Sequence, residues 1–299
     1  MATRVLLAIG LLLAAVTAAA TLWGQQSRPM PRIQESFDPF LSGISSVDEI
    51  MSVLATVDPT ATNLQRLDQA DALLRRRFVH GYSYLTFDQN WAGAALRLFW
   101  DDLASPVRAD DILKFRRGAC SQQALVFQEI SRRLGFDYAT VSIPGHYAAA
   151  ARIDGKWYVY DANREVLARR YPFEWIATGD PRLSSIYSPE LAAQLIDDGR
   201  NGRIRLRDVN RNSAENAALL QSATDLFSRF GWLVVLALCA ALEAGSRLAR
   251  LRIRLEAAEQ AVHSLSAADE IASNLIFFPP PLEQRGRRLH AIDRADALA

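Results

Sequence analysis

Asp154-Gly155 is the pair of residues that most limits what this chain can fold into. It separates two β-prone runs, His146 to Ile153 and Lys156 to Asp161, and an Asp-Gly step in that setting signals a two-residue β-hairpin. Such a loop also dictates register: Ile153 faces Lys156 and, counting outward, Ala148 faces Asp161. Side chains alternate along a strand, so His146 and Ala148 point to one side. His146 and Asp161 then become diagonal neighbours, roughly 7–8 Å apart at the backbone, a gap an imidazole and a carboxylate can close. Tyr138 to Ser142 is a further β-prone run, joined to the hairpin by a turn at Pro144-Gly145. The face shared by His146, Asp161, Ala148, Ala150 and Val159 is small and apolar, and is expected to receive a helix.

That helix lies just upstream. Ala124, Phe127, Ile130 and Leu134 recur at three- and four-residue spacing, with Gly135 as a natural stop. Gly118 permits a tight entry, which puts Cys120 at the helix N-terminus. Unpaired N–H groups and the positive dipole end favour thiolate over thiol there, and could supply part of an oxyanion hole. If the helix packs on the hairpin, Cys120, His146 and Asp161 converge. Taken singly, each has a plainer reading: a small buried cysteine, a turn histidine, a capping aspartate. Together, in chain order and in suitable local structure, they form the set a thiol nucleophile needs: sulfur, base and a carboxylate to orient the base.

The stretch from about Asp110 to Asn163 resembles the core of the transglutaminase-like superfamily, a papain-like cysteine fold. The resemblance is carried by Asp111-Ile112-Leu113, Arg117-Gly118-Ala119-Cys120, Arg133-Leu134-Gly135-Phe136, Gly145-His146 and Gly155-Lys156-Trp157-Tyr158-Val159-Tyr160-Asp161. It implies Cys120 as nucleophile, His146 as base and Asp161 as its orienting partner. It also implies cleavage or exchange of amide or ester bonds through a cysteine thioester, with water or an amine as acceptor. A second oxyanion donor is expected upstream, with Gln89, Trp91 and Tyr84 as candidates. The chain departs from the pattern in two places. Phe136 to Thr140 lacks the arginine many relatives carry, and Ser121-Gln122-Gln123 replaces a small-residue run with an aromatic.

Half of the 299 residues are hydrophobic and the net charge is +1, which gives no sign of a nucleic-acid partner. No phosphate loop or dinucleotide fingerprint is visible, so no cofactor is expected. Two cysteines far apart in sequence argue against a structural disulfide. Four histidines without a paired ligand motif give little support for a metal site.

Val5 to Trp23 is almost wholly apolar and long enough to span a bilayer. Ala18-Ala19-Ala20 resembles a cleavage site, so a removable signal peptide is the alternative to an anchor; Trp23, an interfacial residue type, favours the anchor. A second apolar run, Phe230 to Leu242, is followed by Arg247, Arg250, Arg252 and Arg254, a positive-inside signal. The expected organisation is an anchor or signal peptide over 1–24, a linker over 25–45 and an exported domain over 46–210. A helix over 211–246 then leads into a second span at about 230–246, and a cytoplasmic segment follows over 247–299. The catalytic domain would lie on the periplasmic side of the inner membrane. Leu248, Leu251, Leu255, Ala258, Val262 and Leu265 fit a heptad and read equally as a self-associating coiled coil or a helix on the membrane surface. Phe277 onward reads as a disordered tail.

The expected fold class is α+β: N-terminal helices, then a Cys-bearing helix on an antiparallel sheet, with flanking transmembrane helices. The expected function is a membrane-anchored cysteine enzyme acting on an extracytoplasmic peptide, protein or polymer by hydrolysis or acyl transfer. The alternative is a catalytically inactive domain of the same kind, serving as a binding or assembly factor.

Overall fold

A computed structural model describes residues 2–23, 37–164 and 170–276. The chain is α+β, built on one five-stranded antiparallel sheet. It divides into two compact units, residues 2–236 and residues 237–299.

The first unit begins with helix α1 (Ala2–Trp23). The expected linker over 25–45 lies outside the described residues up to position 36, but from Phe37 the chain is packed. Phe37 and Ile44 are buried around a short 3-10 turn, Pro39–Gly43, and the Asp38 N–H donates to the Arg76 carbonyl at 2.7 Å. α2 (Val47–Val57) starts where expected, with the Ser46 hydroxyl accepting from the Glu49 N–H. The Glu49 carboxylate reaches the Ser45 N–H rather than that of Ser46. α3 (Asn63–Arg77) is closed by a reciprocal Thr62–Gln65 capping box. Its last residue, Arg77, is buried, and its guanidinium donates to the carbonyls of Ile44, Leu113 and Phe115. That tethers two loops, one at Ile44 and one after α5, to the end of α3 through one side chain. Burial pulls the Arg77 pKa down to about 10, which leaves it charged at neutral pH.

β1 (Val79–His80) and β2 (Arg117–Gly118) form a minimal parallel pair that flanks α4 (Phe87–Ala95) and α5 (Ala109–Leu113). α4 is followed by two 3-10 turns, Leu96–Leu98 and Asp101–Ala104. α6 (Cys120–Arg133) precedes β3 (Tyr138–Ile143), β4 (His146–Ile153) and β5 (Lys156–Tyr160). The Asp154-Gly155 turn has both residues at positive φ, and Ile153 pairs with Lys156, so the register is the one the loop length dictates. β6 (Tyr171–Pro172) and α7 (Phe173–Thr178) follow, then α8 (Pro189–Arg200) and the edge strand β7 (Arg205–Arg207). The sheet order is β6-β5-β4-β3-β7.

Both faces of this sheet are covered, and the assignment of faces differs from expectation. α6 packs on the side carrying Ala149, Ala151, Ile153 and Tyr160, together with α2, α3 and α5. The opposite side, with Ala148, Ala150 and Val159, receives α7 and α8. Four consecutive buried alanines in β4 make this possible, since a strand buried on both sides loses its hydrophobic-polar alternation. α7 and α8 approach backbone to backbone at Gly179 and Gly199. A Cβ on Gly179 would lie 2.2 Å from the Ile196 carbonyl oxygen, and one on Gly199 2.3 Å from that of Ile176.

α9 (Glu215–Ile276) runs 62 residues without a break, through both the second apolar stretch and the arginines expected to follow it in a separate helix. At 1.5 Å per residue that is about 90 Å. Among the described residues it is the one helix long and apolar enough to cross a membrane; Val5–Ala19 is apolar but shorter. Within the first unit, α1 and α9 meet at Gly10, where a Cβ would sit 3.0 Å from a Leu236 methyl. Residues 277–299, including the expected disordered tail, lie outside the described residues.

Candidate active site

Cys120 is the first residue of α6. Two glutamines hold that helix end in place. Gln122 is buried; its carbonyl oxygen accepts from the Ala119 N–H (3.1 Å) and the Ser83 N–H (3.2 Å), and its amide donates to Ser83 O, Ser105 Oγ and Pro106 O. Gln123, also buried, donates to the Gly118 carbonyl at 2.8 Å. Gly118 has to be glycine for a packing reason: a Cβ there would meet the Phe78 ring at 2.9 Å. The Ser-Gln-Gln run after the cysteine, which read as a departure from the superfamily pattern, thus pins the Cys120 end of α6 to the loops around residues 83 and 105.

His146 opens β4, directly after the turn at Pro144-Gly145 with Gly145 at φ +69°. Its Nε2 lies 2.9 Å from Asp161 Oδ2, and both side chains are buried. The Asp161 Oδ1 accepts the Arg164 N–H at 3.2 Å. The imidazole also interacts with the Cys120 thiol, and each shifts the other's proton affinity. The three residues therefore meet, but by a different route from the expected packing of helix on the His146 face. The sulfur sits at the tip of a helix lying on one face, and the imidazole stems from the other. They meet where β4 begins and β5 ends, around the margin of the sheet.

The electrostatics of the pair work in opposite directions. Burial pushes the Cys120 thiol up, but the hydrogen bond from His146 and the backbone N–H groups of Tyr147 and Ser121 more than offset it, leaving the thiol below its ordinary value. Burial pulls His146 down, yet the Asp161 and Cys120 hydrogen bonds raise it to about 9. The two shifts bring the thiol and the imidazole toward each other, the direction in which a proton moves from sulfur to nitrogen.

The expected oxyanion donors fall elsewhere. Gln89 accepts from the Thr86 N–H at the start of its own helix. The Trp91 indole N–H is directed at Ser228 O (3.0 Å) and Thr17 Oγ1 (3.2 Å). Tyr84 stacks on Tyr82 and lies under the Arg97 guanidinium, 4.1 Å from its ring centre. None of the three lines the cleft at Cys120, whose walls include Gln123, Phe127, Tyr147, Tyr160 and Asn163. The residue of that stretch that reaches the site is Tyr82: it hydrogen-bonds Ser121 and feels the charge of Cys120, with burial the main cause of its raised pKa. Nothing in the local sequence separates Tyr82 from Tyr84, because both belong to an irregular segment without periodicity.

A second acidic group lies behind the site. Asp71 on α3 is fully buried, donated to by Arg75 at 2.8 Å, and burial raises its pKa to about 6; it senses the charge of Asp161. The four-residue spacing of Asp71 and Arg75 is the sequence signal for this pair. A larger cavity, about 520 Å³, lies further along α6 between Val107–Lys114 and Gln128–Arg133. Among the described residues no cluster of His, Cys, Asp and Glu could hold a metal ion.

Comparison with protein-family models, curated proteins and solved structures finds no match to this chain. The geometry of the site therefore has to carry the functional argument.

Proposed function

We propose that the chain is a membrane-anchored cysteine acyl-transfer enzyme with a transglutaminase-like, papain-like core. The observation that carries this reading is the buried His146–Asp161 pair, 2.9 Å apart, whose imidazole also interacts with the Cys120 thiol at the tip of α6. A purely structural polar cluster has no need of a thiol whose proton is drawn off by a buried imidazole.

In this mechanism the Cys120 thiolate attacks a substrate carbonyl carbon, forming a C–S bond and an oxyanion. N–H groups of the first turn of α6 stabilise the negative oxygen, with the Tyr82 hydroxyl as a second donor. His146 passes its proton to the departing amine or alcohol as the bond to carbon breaks, leaving a thioester. It then takes a proton from the acceptor, water or an amine, which attacks the thioester and frees the thiolate. Asp161 keeps the imidazole oriented and favours its protonated form throughout.

α1 and the apolar part of α9 would cross the bilayer side by side, their approach at Gly10 being the small-residue contact such pairs use. Arg247, Arg250, Arg252 and Arg254 would face the cytoplasm, and the domain with Cys120 the extracytoplasmic side. The substrate would be a peptide, protein or amide-bearing polymer there. The bonds from Trp91 to Thr17 and Ser228 favour a retained α1 over a cleaved signal peptide.

One observation favours the inactive, binding-only reading: the cleft at Cys120 has room for little more than a single water, about 10 Å³. Alkylation of the full-length protein by iodoacetamide separates the two. The enzyme reading expects Cys120 to react well below the pH at which a free thiol does, and the reactivity to vanish in His146→Ala. Reactivity no greater than that of a free thiol would end the enzyme reading.

A further inference from the structure

Between α4 and α5 the chain makes an excursion that the catalytic reading does not use. Two 3-10 turns, Leu96–Leu98 and Asp101–Ala104, pack against each other, and the chain between them presents Leu98, Phe99 and Trp100 to the outside at 85%, 77% and 73% exposure. Three consecutive large apolar side chains at that exposure are costly in water relative to burial. The segment then returns to the domain, where the Leu85 N–H donates to the Ala104 carbonyl at 2.7 Å.

What stands beside this tip is settled by α4. Asn90 donates to Thr224 Oγ1 at 2.9 Å, the Ser228 hydroxyl donates to Asn90 Oδ1, and the same hydroxyl accepts from the Ala92 N–H. The Trp91 indole reaches both Thr17 on α1 and Ser228 on α9. Asn90 thus meets α9 at 221, 224 and 228, and Ala92 meets it at 228, so α4 sits against α9 immediately before the apolar run that begins at Phe230. From α4 the chain goes straight into Leu96–Trp100. Exposed Phe227 and Phe230 add apolar surface on α9 at this level.

We propose that the 96–103 segment seats its Leu98-Phe99-Trp100 tip in the outer interfacial layer of the bilayer that α1 and α9 cross. This rests on the membrane reading above and adds a third attachment, made by the catalytic domain itself. An aromatic-rich tip is the composition the interface favours, since indole and phenyl rings partition to the headgroup level. The tip is also connected to the site. Arg97 lies over Tyr84, Tyr84 stacks on Tyr82, and Tyr82 hydrogen-bonds Ser121 next to the nucleophile. The cleft is therefore held close to the lipid surface, where a membrane-tethered substrate would present its chain.

The test is spin-label accessibility of the full-length protein in lipid nanodiscs. Single labels go at Phe99→Cys, at Val234→Cys on the exposed side of α9, and at Lys156→Cys on the hairpin turn, in a Cys120→Ser, Cys239→Ala background. Phe99 touches no core, so its replacement leaves the fold intact, and Leu98→Cys serves as a duplicate. The expected result is an oxygen-to-nickel-complex accessibility ratio at positions 98 and 99 several-fold above that at 156 and below that at 234. Ratios at 98 and 99 equal to that at 156, with 234 still in lipid, would overturn the proposal while leaving the membrane reading intact. Shielding of 98 and 99 from both relaxants would overturn it in favour of a second copy or another protein on this surface. A water-like ratio at 234 would show that the membrane reading itself had failed.

Discussion

The two ends of α6 make an instructive pair. At Cys120 the space is tiny and the charges are poised; beyond Leu125 the cavity is some fifty times larger and its charges are spent on one another. Asp111 takes both Arg108 (2.5 Å) and Lys114 (2.6 Å), while Glu129 takes Arg132 and Arg133, and Arg133 also pairs with Asp48. The acids and bases that pair there shift in the direction that strengthens an existing charge: Asp111 and Glu129 fall, Arg108 and Arg133 rise. At Cys120 and His146 the shifts bring an acid and a base toward each other instead. Volume marks where something could fit. Opposed shifts mark where a proton can move near neutral pH.

The sharpest way to break this contrast is to remove the sulfur or its base. Cys120→Ala and His146→Ala should each abolish turnover and rapid alkylation, with circular dichroism and melting behaviour retained. Asp161→Asn is the next largest: a rate loss on the order of 10²–10⁴-fold. In the wild type His146 holds its proton to about 9, so activity should fall at high pH as that proton leaves; the Asn variant should move this limb downward. The same shift has a stability counterpart. A histidine raised above its unfolded value of 6.5 contributes stability that is full below 6.5 and lost as pH rises through about 9. Thermal melts of wild type and Asp161→Asn should therefore converge toward pH 9–10, and a gap that widened there would contradict the assignment. Tyr82→Phe should cost about 10²-fold in kcat with little change in KM, if its hydroxyl serves the oxyanion. Tyr84→Phe should do nothing comparable.

The smallest effect belongs to the large cavity. Lys114→Ala removes a half-exposed partner of Asp111 and should cost under about 1 kcal/mol of stability, with alkylation at Cys120 unchanged. If Lys114→Ala slowed Cys120 as Asp161→Asn does, the two ends of the helix would not be functionally distinct, and the contrast would collapse.

Much of the site was legible because its geometry is short-range. A two-residue turn leaves no freedom in the pairing of β4 with β5, so placing His146 diagonal to Asp161 required only counting. The stripe from Ala124 to Leu134 likewise fixed the helix that starts at Cys120. What was not legible depended on partners far along the chain. Ala148 to Ala151 offer the same small side chain to both faces, so nothing local says which side takes α6 and which takes α7 and α8. α7, at six residues, is too short to show a period. Trp91 and Gln89 read as candidate donors because the sequence does not show where a side chain on so short a helix is directed; here contacts with Thr17 and Ser228 and the cap of α4 take them. The arginines after Leu242 suggested a helix boundary, but arginine is a good helix former and nothing there breaks the backbone ladder.

The alanine tetrad of β4 sets a mechanical tolerance. On each side of that strand only a methyl group separates the backbone from the layer above, so the strand works as a shim of minimum thickness. Exchange of Ala149 for valine would lift α6 and withdraw Cys120 from His146 without altering either side chain. A site built this way can be detuned by bulk alone, at a position that no inspection of its chemistry would flag.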